Sequence, residues 1–201
     1  MKTRPAVATR FALALSILLL AAPATAAFAG GDVNFLLGVK PMDKADWAPV
    51  EDQGAFGAEV TFGRETWPVW IAVDYFASAA VEERVPINVG GFVTSGDITG
   101  STFEFDLGIR KIWGKKRTRP FFGGGVGLVG ATYDADFTDD SDQTAALWAG
   151  GGVFWRLGRR FNLGGSVRWS DAQVSIFEND DVQAGGLTYG LILGWGWPIS
   201  F

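Results

Sequence analysis

Seven charged residues fall inside alternating apolar segments rather than in loops: Glu59, Asp74, Glu104 and Asp106, against Arg110, Arg156 and Arg168. Each occupies the parity opposite to the apolar positions around it, so on extended strands all seven project to one side. Charges enclosed on that side must pair or stay hydrated, because an isolated buried charge is costly. One use is a salt-bridge network that plugs the enclosed space. The other is the lining or gate of a narrow water path, opened by an exchange of pair partners. Four carboxylates also invite the acid–base chemistry of a glycosidase or an aspartic protease. Arginines this close hold such acids ionised, whereas acid catalysis needs a raised pKa, and the plugging network is the preferred reading.

Other chemistry is narrowed by what the chain lacks. It has no Cys and no His. Disulfides, thiolate sites, histidine-based triads and His-ligated zinc are therefore excluded, and carboxylates, hydroxyls, Lys, Arg and Tyr remain. Gly125-Val126-Gly127-Leu128-Val129-Gly130 spells the dinucleotide fingerprint. That motif needs a strand ending and a helix beginning, whereas here the strand pattern runs on into Thr132 and Tyr133. No cofactor, no catalytic residue and no metal ligand is expected. Asp134, Asp136, Asp139, Asp140 and Asp142 crowd one connection, and Glu178, Asp180 and Asp181 another. Oxygen-rich loops can hold Ca²⁺ or Mg²⁺ and so bridge to lipopolysaccharide phosphates, but the spacing lacks the Gly and terminal Glu of an EF-hand, and solvation explains it better. Lys115, Lys116, Arg117, Arg119, Arg159 and Arg160 make the opposite set of connections basic.

The elements that carry the seven charges repeat with period two, and eight such segments predict an eight-stranded barrel. The outward faces in order are Val33, Phe35, Leu37, Val39; Phe56, Ala58, Val60, Phe62; Val69, Ile71, Val73, Tyr75; and Phe103, Phe105, Leu107, Ile109. Phe122, Val126 and Leu128 follow, then Ala145, Leu147, Val153, Trp155 and Leu157, then Phe161, Leu163, Val167 and Trp169. The eighth runs over the odd positions from Leu187 to Phe201, with Pro198 predicting failed pairing near its end. Short links at 64–67, 114–119 and 158–160 alternate with long ones at 41–53, 79–101, 134–143 and 171–185, as an up-and-down barrel with both termini on one side requires. Outward aromatics predict two girdles: Phe62, Trp113, Phe122, Trp155, Phe161 and Trp197 near the short links, Phe56, Tyr75, Phe103, Trp169 and Tyr189 near the long ones. The stretch 81–101 predicts a projecting hairpin offering an edge or apolar tip to an extracellular partner, or a simple extension of the wall.

The chain ends fix the compartment. Lys2, Arg4 and Arg10 precede the apolar run Phe11 to Ala22, and small residues offer cleavage after Ala26 or Ala29, so residues 1–29 read as a secretory signal peptide and 30–201 as one barrel domain. Its removal leaves 14 basic against 22 acidic residues, a formal charge of −8 that argues against nucleic-acid binding. A soluble lipocalin-like barrel is the competing architecture, with its apolar face inside. Glycines such as Gly57, Gly108, Gly125, Gly127, Gly164 and Gly194 on the other face oppose it, since a narrow bore needs small residues and a solvated surface does not.

The signal peptide, the basic turn leading into Pro120-Phe121-Phe122-Gly123-Gly124-Gly125-Val126-Gly127, and the aromatic last strand resemble the small bacterial outer-membrane β-barrel proteins, a group including the OmpA transmembrane domain, OmpX, OmpW and opacity-like proteins. The resemblance spans the mature chain and implies an all-β, eight-stranded antiparallel up-and-down transmembrane barrel. It implies a monomer among outer-membrane lipid and lipopolysaccharide, with both termini periplasmic. It implies delivery by periplasmic chaperones and the barrel-assembly machinery, with Phe201 as assembly signal. The expected function is non-enzymatic, structural or exerted through the loops. The alternative is an OmpW-like narrow channel for small or apolar solutes, motivated by the inward parity of Trp70, Phe76, Trp148, Phe154 and Ile192. Barrel enzymes that modify lipid A or cleave peptides depend on histidine, which this chain lacks.

Overall fold

The computed structural model describes residues 30–64, 66–89, 92–114, 117–135, 138–176 and 179–197. The predicted signal segment, Pro198, Phe201, Lys115, Lys116, Asp136 and Glu178 lie outside them. The elements are β1 (Gly30–Pro41), the single-turn helix α1 (Lys44–Trp47), β2 (Asp52–Gly63), β3 (Trp70–Val89), β4 (Phe92–Ile112), β5 (Thr118–Ala135), β6 (Thr138–Leu157), β7 (Phe161–Asp171), β8 (Gln173–Ile176), β9 (Asn179–Gln183) and β10 (Gly186–Trp197). Eight of them close an antiparallel barrel in the order β1-β10-β7-β6-β5-β4-β3-β2, and β8 and β9 pair separately. Closure sets Gly31 opposite Trp197 and Val39 opposite Tyr189, so no barrel strand is left with an open edge over the common wall.

The alternation in sequence becomes an alternation in space. Along β1, Phe35, Leu37 and Val39 are exposed while Asp32, Asn34, Leu36 and Lys40 are buried. Along β10, Leu187, Tyr189, Leu191, Leu193 and Trp195 are exposed, and Thr188 and Ile192 face the bore. Apolar residues outside and polar ones inside are the reverse of a water-soluble barrel, so the lipocalin-like arrangement is ruled out and the outer wall is suited to lipid. Ala58 and Val60 share the outward parity but are covered. Ala58 lies between Phe35 and Tyr75, and Val60 between Val33 and Val73, whose larger or equal side chains close over them.

All three short links lie at one end, which we term the short-turn end. In two of them Gly114 (φ 86°) and Gly158 (φ 62°) take the left-handed backbone that a side chain would strain. At the opposite, long-loop end the connections are structured, and one of them is the hairpin expected over 81–101. The stretch 79–101 is strand almost throughout: β3 and β4 stay paired out to Val89 opposite Phe92, past a bulge between Glu82 and Val85. The stretch 134–143 is likewise a tight continuation of the β5–β6 hairpin. The stretch 171–185 contains the β8–β9 hairpin, and 41–53 contains α1, whose N-cap Asp43 accepts a hydrogen bond from the Ala45 amide at 2.8 Å. The Gly125 to Gly130 run sits inside β5, in mid-strand.

Candidate functional site: the charged and capped bore

An eight-stranded barrel has an interior just wide enough for side chains to fill. Here the filling is layered, and its middle layer is ionic. Arg110 on β4 places Nη2 2.8 Å from Asp74 and Nη1 3.6 Å from Glu59, and also donates to the Thr61 hydroxyl at 2.8 Å. Arg168 on β7 reaches Asp106 at 2.6 Å, Glu104 at 3.3 Å and Asp74 at 4.0 Å. Its guanidinium also lies over the rings of Phe76 (4.7 Å) and Trp148 (4.4 Å), while Arg110 lies over Phe121 (5.2 Å). Register explains the convergence: Glu59 pairs with Asp74, Asp74 with Asp106, and Asp106 with Gly127, so three carboxylates sit side by side on β2, β3 and β4. Three adjacent acids repel, and only a cation facing them across the bore makes the row tolerable.

Small residues make that facing possible. A Cβ on Gly108 would come within 2.6 Å of the Trp148 ring, the ring on which Arg168 rests. Gly125, opposite both Gly108 and Trp148, leaves the same space clear from the next strand.

Arg156 does not join this cluster, contrary to the single network expected from sequence. It ion-pairs with Asp32 and donates through Nε to Asn162 Oδ1 at 2.6 Å, forming a separate group near the short-turn end. Asn162 in turn donates to Asp32 (2.9 Å) and Asn34 (2.8 Å). The reason is longitudinal: Arg156 lies next to the last residue of β6, Leu157, well below the level of Arg168.

Asp32 and Lys40 were missed in the sequence reading, although both share the inward parity of Asn34 and Leu36. Lys40 is the more consequential. Its amine donates to Glu104 (2.8 Å), Thr102 (3.0 Å) and the Ala184 carbonyl (2.8 Å), so it ties the ionic layer to the segment leading out of β9.

Above Lys40 the bore is closed by an apolar cap that no periodicity announced. Trp47, Val50 and Met42 from the first long connection pack with Val174, Ile176, Val182 and Ala184 from the last, over Ile98, Val129, Ala131 and Ala146 of the wall. Polar ties fix the two connections to each other: Trp47 Nε1 donates to the Gln183 carbonyl at 2.8 Å, and the Gln183 amide donates to Asp46 at 2.9 Å. Gln53, Ser78 and Thr102 continue the hydrogen bonding below, with Ser78 Oγ 2.6 Å from Gln53 and 2.7 Å from Thr102. A lower apolar layer of Phe121, Phe154 and Ile192, with Ile112 against it, fills the other end. Phe76, Trp148, Phe154 and Ile192 therefore fill the bore rather than line an opening in it, and Trp70 is half-buried at its rim.

One acid of the acidic connections has a defined role. Asp142 accepts a hydrogen bond from the Ser175 amide at 2.9 Å, and this bond, with one from the Gln143 amide, holds its carboxyl below the ordinary aspartate value of 3.8. A carboxyl whose pKa is depressed on folding contributes stability above its unfolded pKa and loses it as pH falls through the folded one. Docking of β8 on β6 is thus expected to weaken below about pH 4. The check is the hydrogen-exchange protection of the Ser175 amide, corrected for intrinsic rate: it should fall with acid in the native chain and be pH-independent in Asp142→Asn.

The outward rings are placed as follows. Phe62, Phe161 and Trp197 are half-buried and Trp113, Phe122 and Trp155 exposed toward the short-turn end; Tyr75 and Phe103 are half-buried and Phe56, Trp169 and Tyr189 exposed toward the long-loop end. Phe35 stacks on Phe56 at 6.1 Å and Phe161 meets Trp195 edge-on at 6.0 Å.

No protein-family model matches the sequence, and no curated protein matches it. Among solved structures the chain is similar to Ail, the attachment invasion locus protein of Yersinia pestis, in complex with the heparin analogue sucrose octasulfate, at 14% identity and a TM-score of 0.54, covering 84% of this chain and 97% of that one. It is also similar to Neisserial surface protein A (13% identity, TM-score 0.48, 83% and 93% covered) and to a major outer membrane protein of Thermus thermophilus (13%, 0.43, 84% and 98%). The likeness to Ail is one of fold: this chain has the closed eight-stranded antiparallel barrel of a small outer-membrane protein.

Proposed function

We propose that the chain is a non-enzymatic integral outer-membrane protein, delivered by a cleaved signal peptide, whose short-turn end and termini lie in the periplasm. Its role is structural or is exerted through its extracellular loops. The observation that carries this reading is the layered closure of the bore: an ionic layer centred on Arg168 and Arg110, above it the apolar cap around Trp47, and below it the apolar layer of Phe121, Phe154 and Ile192. A pore needs a continuous hydrated path, and dry or charge-paired layers across a bore this narrow oppose one. The two rows of outward rings fit the aromatic belts that set a barrel's depth in lipid.

For a loop-mediated role, the β3–β4 hairpin is the part that reaches out. β3 pairs with β2 only as far as Ala79, and β4 pairs with β5 only from Ile98 onward, so both edges of the hairpin beyond those points are open to an added strand. Asp43, Asp52, Glu82, Glu83, Asp139 and Asp171 are exposed at this end of the barrel and outnumber the exposed Lys44 and Arg84 there. This end is thus suited to a neutral or basic partner, unlike Ail, which was solved with a polysulfated one.

Single-channel recording tests the closure. The purified chain in a planar bilayer is expected to give no reproducible conductance steps. Reproducible steps would instead support the narrow-channel alternative for small or apolar solutes. Recovery of the chain in the soluble periplasmic fraction, or identical mobility of heated and unheated samples on a detergent gel, would remove the membrane reading altogether.

A further inference from the structure

The two ends of the barrel carry opposite charge. At the short-turn end Arg64, Arg117, Arg159 and Arg160 are exposed, Arg119 is half-buried, and among the described residues no carboxylate is ion-paired with any of them. The described acid at this end, Asp32, is buried and committed to Arg156 and Asn162. Asp43, Asp52, Glu82, Glu83, Asp139 and Asp171 lie at the other end.

Register fixes the depth of the basic groups. The Gly196 amide donates to the Arg160 carbonyl at 2.7 Å, one residue beyond the edge-on pair of Phe161 and Trp195. The Arg156 amide donates to the Arg117 carbonyl at 2.7 Å, one residue beyond Thr118 opposite Trp155. At about 3.4 Å per residue, these backbones sit within a few ångströms of the outward ring layer. Lys111 marks the same boundary independently. It shares the outward parity of Ile109 and Trp113, yet its amine turns to the Pro68 carbonyl in the β2–β3 turn, as a lysine does when its stem lies in an apolar layer and its head seeks the polar edge.

From this placement we infer that the short-turn rim is a docking surface for anionic phospholipid headgroups of the leaflet it faces, with Arg117, Arg159 and Arg160 as its principal contacts. Exposed guanidiniums that pair with no carboxylate among the described residues, carried on backbones near ring depth, are placed to pair bidentately with phosphate. Turns that needed charge only for solubility would tolerate either sign, whereas in the three short links Glu65 is the one acid in the sequence against Arg64, Lys115, Lys116, Arg117, Arg119, Arg159 and Arg160, and the exposed charges described there are all basic. The inference rests on the outer-membrane reading above.

The test is lipid selectivity of the full chain refolded into phosphatidylcholine bilayers and probed with spin-labelled phosphatidylglycerol or phosphatidylcholine. The wild type is expected to enrich the anionic label, by up to roughly five-fold per arginine engaged, with the excess shrinking as salt rises. Substituting Gln at Arg117, Arg159 and Arg160 together should abolish the excess, while Lys44→Gln with Arg84→Gln at the other end should leave it. Equal association of both labels with the wild type, or an excess that survives the triple substitution, overturns the inference. So does binding to purified peptidoglycan that the triple substitution removes while lipid selectivity stays unchanged. Absence of any motionally restricted lipid around the chain would overturn the membrane reading with it, and so separates the two failures.

Discussion

Replacing Arg168 with methionine is expected to lower the unfolding free energy of the reconstituted barrel by about 3–5 kcal/mol, the usual cost of removing one partner from a buried ionic group. The side chain is 5% exposed and faces Asp106, Glu104 and Asp74, which are no more exposed than it is. Methionine matches much of its length but leaves Asp106 with no cation, because Arg110 serves Asp74 and Glu59 while Lys40 serves Glu104. Lysine at the same position keeps a charge within reach of the acids but loses the planar stacking between Phe76 and Trp148. Arg168→Lys should therefore cost about 1–2 kcal/mol, a value set by the lost cation–π contacts. Urea titration in lipid vesicles, followed by the gel shift between folded and unfolded forms, gives both numbers. A loss below about 1 kcal/mol for methionine would mean that the carboxylates are compensated elsewhere, and the ionic layer would no longer explain the closed bore.

How much of this was legible in the sequence depended on the period of each feature. Strands repeat every two residues, so Phe103, Phe105, Leu107 and Ile109 announced their own face and, by subtraction, put Glu104, Asp106 and Arg110 on the other. Parity says which side a residue faces and nothing about how high it stands along the barrel axis. Arg156 was for that reason grouped with acids that lie well above it, when its partner is Asp32 on the first strand. Asp32 and Lys40 were open to the same parity argument through Asn34 and Leu36, and only the sparseness of charge on β1 hid them. The cap was different in kind. Trp47 and Val174 meet because β1 and β10 are neighbours in the closed barrel, and neither lies in a repeat that could have signalled the contact. Tertiary closure made that apolar cluster, and local pattern could not.

The cap yields the second large effect, and it separates the closure by the loops from the closure by the layers beneath. Trp47→Ala is expected to destabilise the cap by about 3–5 kcal/mol, as for other fully buried tryptophans. Trp47 has no exposed surface, and its indole N–H ties the first long connection to the last through the Gln183 carbonyl. A one-turn helix and a short hairpin have little else to hold them, so the loss should appear as local opening rather than global unfolding. Hydrogen exchange over 42–51 and 173–183 should accelerate by two to three orders of magnitude, at about 1.4 kcal/mol per factor of ten. The β4–β5 and β5–β6 ladders in the wall should keep their protection. Trp47→Phe should be milder, since it keeps most of the apolar contact and gives up one hydrogen bond worth about 1 kcal/mol. The informative measurement is conductance across the set. If the cap, the ionic layer and the lower apolar layer of Phe121, Phe154 and Ile192 each close the bore, Trp47→Ala alone, Arg168→Met alone and the two together should stay silent in a planar bilayer, and only their combination with Phe154→Ala should give reproducible steps. Conductance from Trp47→Ala alone would show that the layers beneath the cap are permeable and that the loops are the gate, moving the reading of this protein from a sealed wall element toward a loop-gated pore.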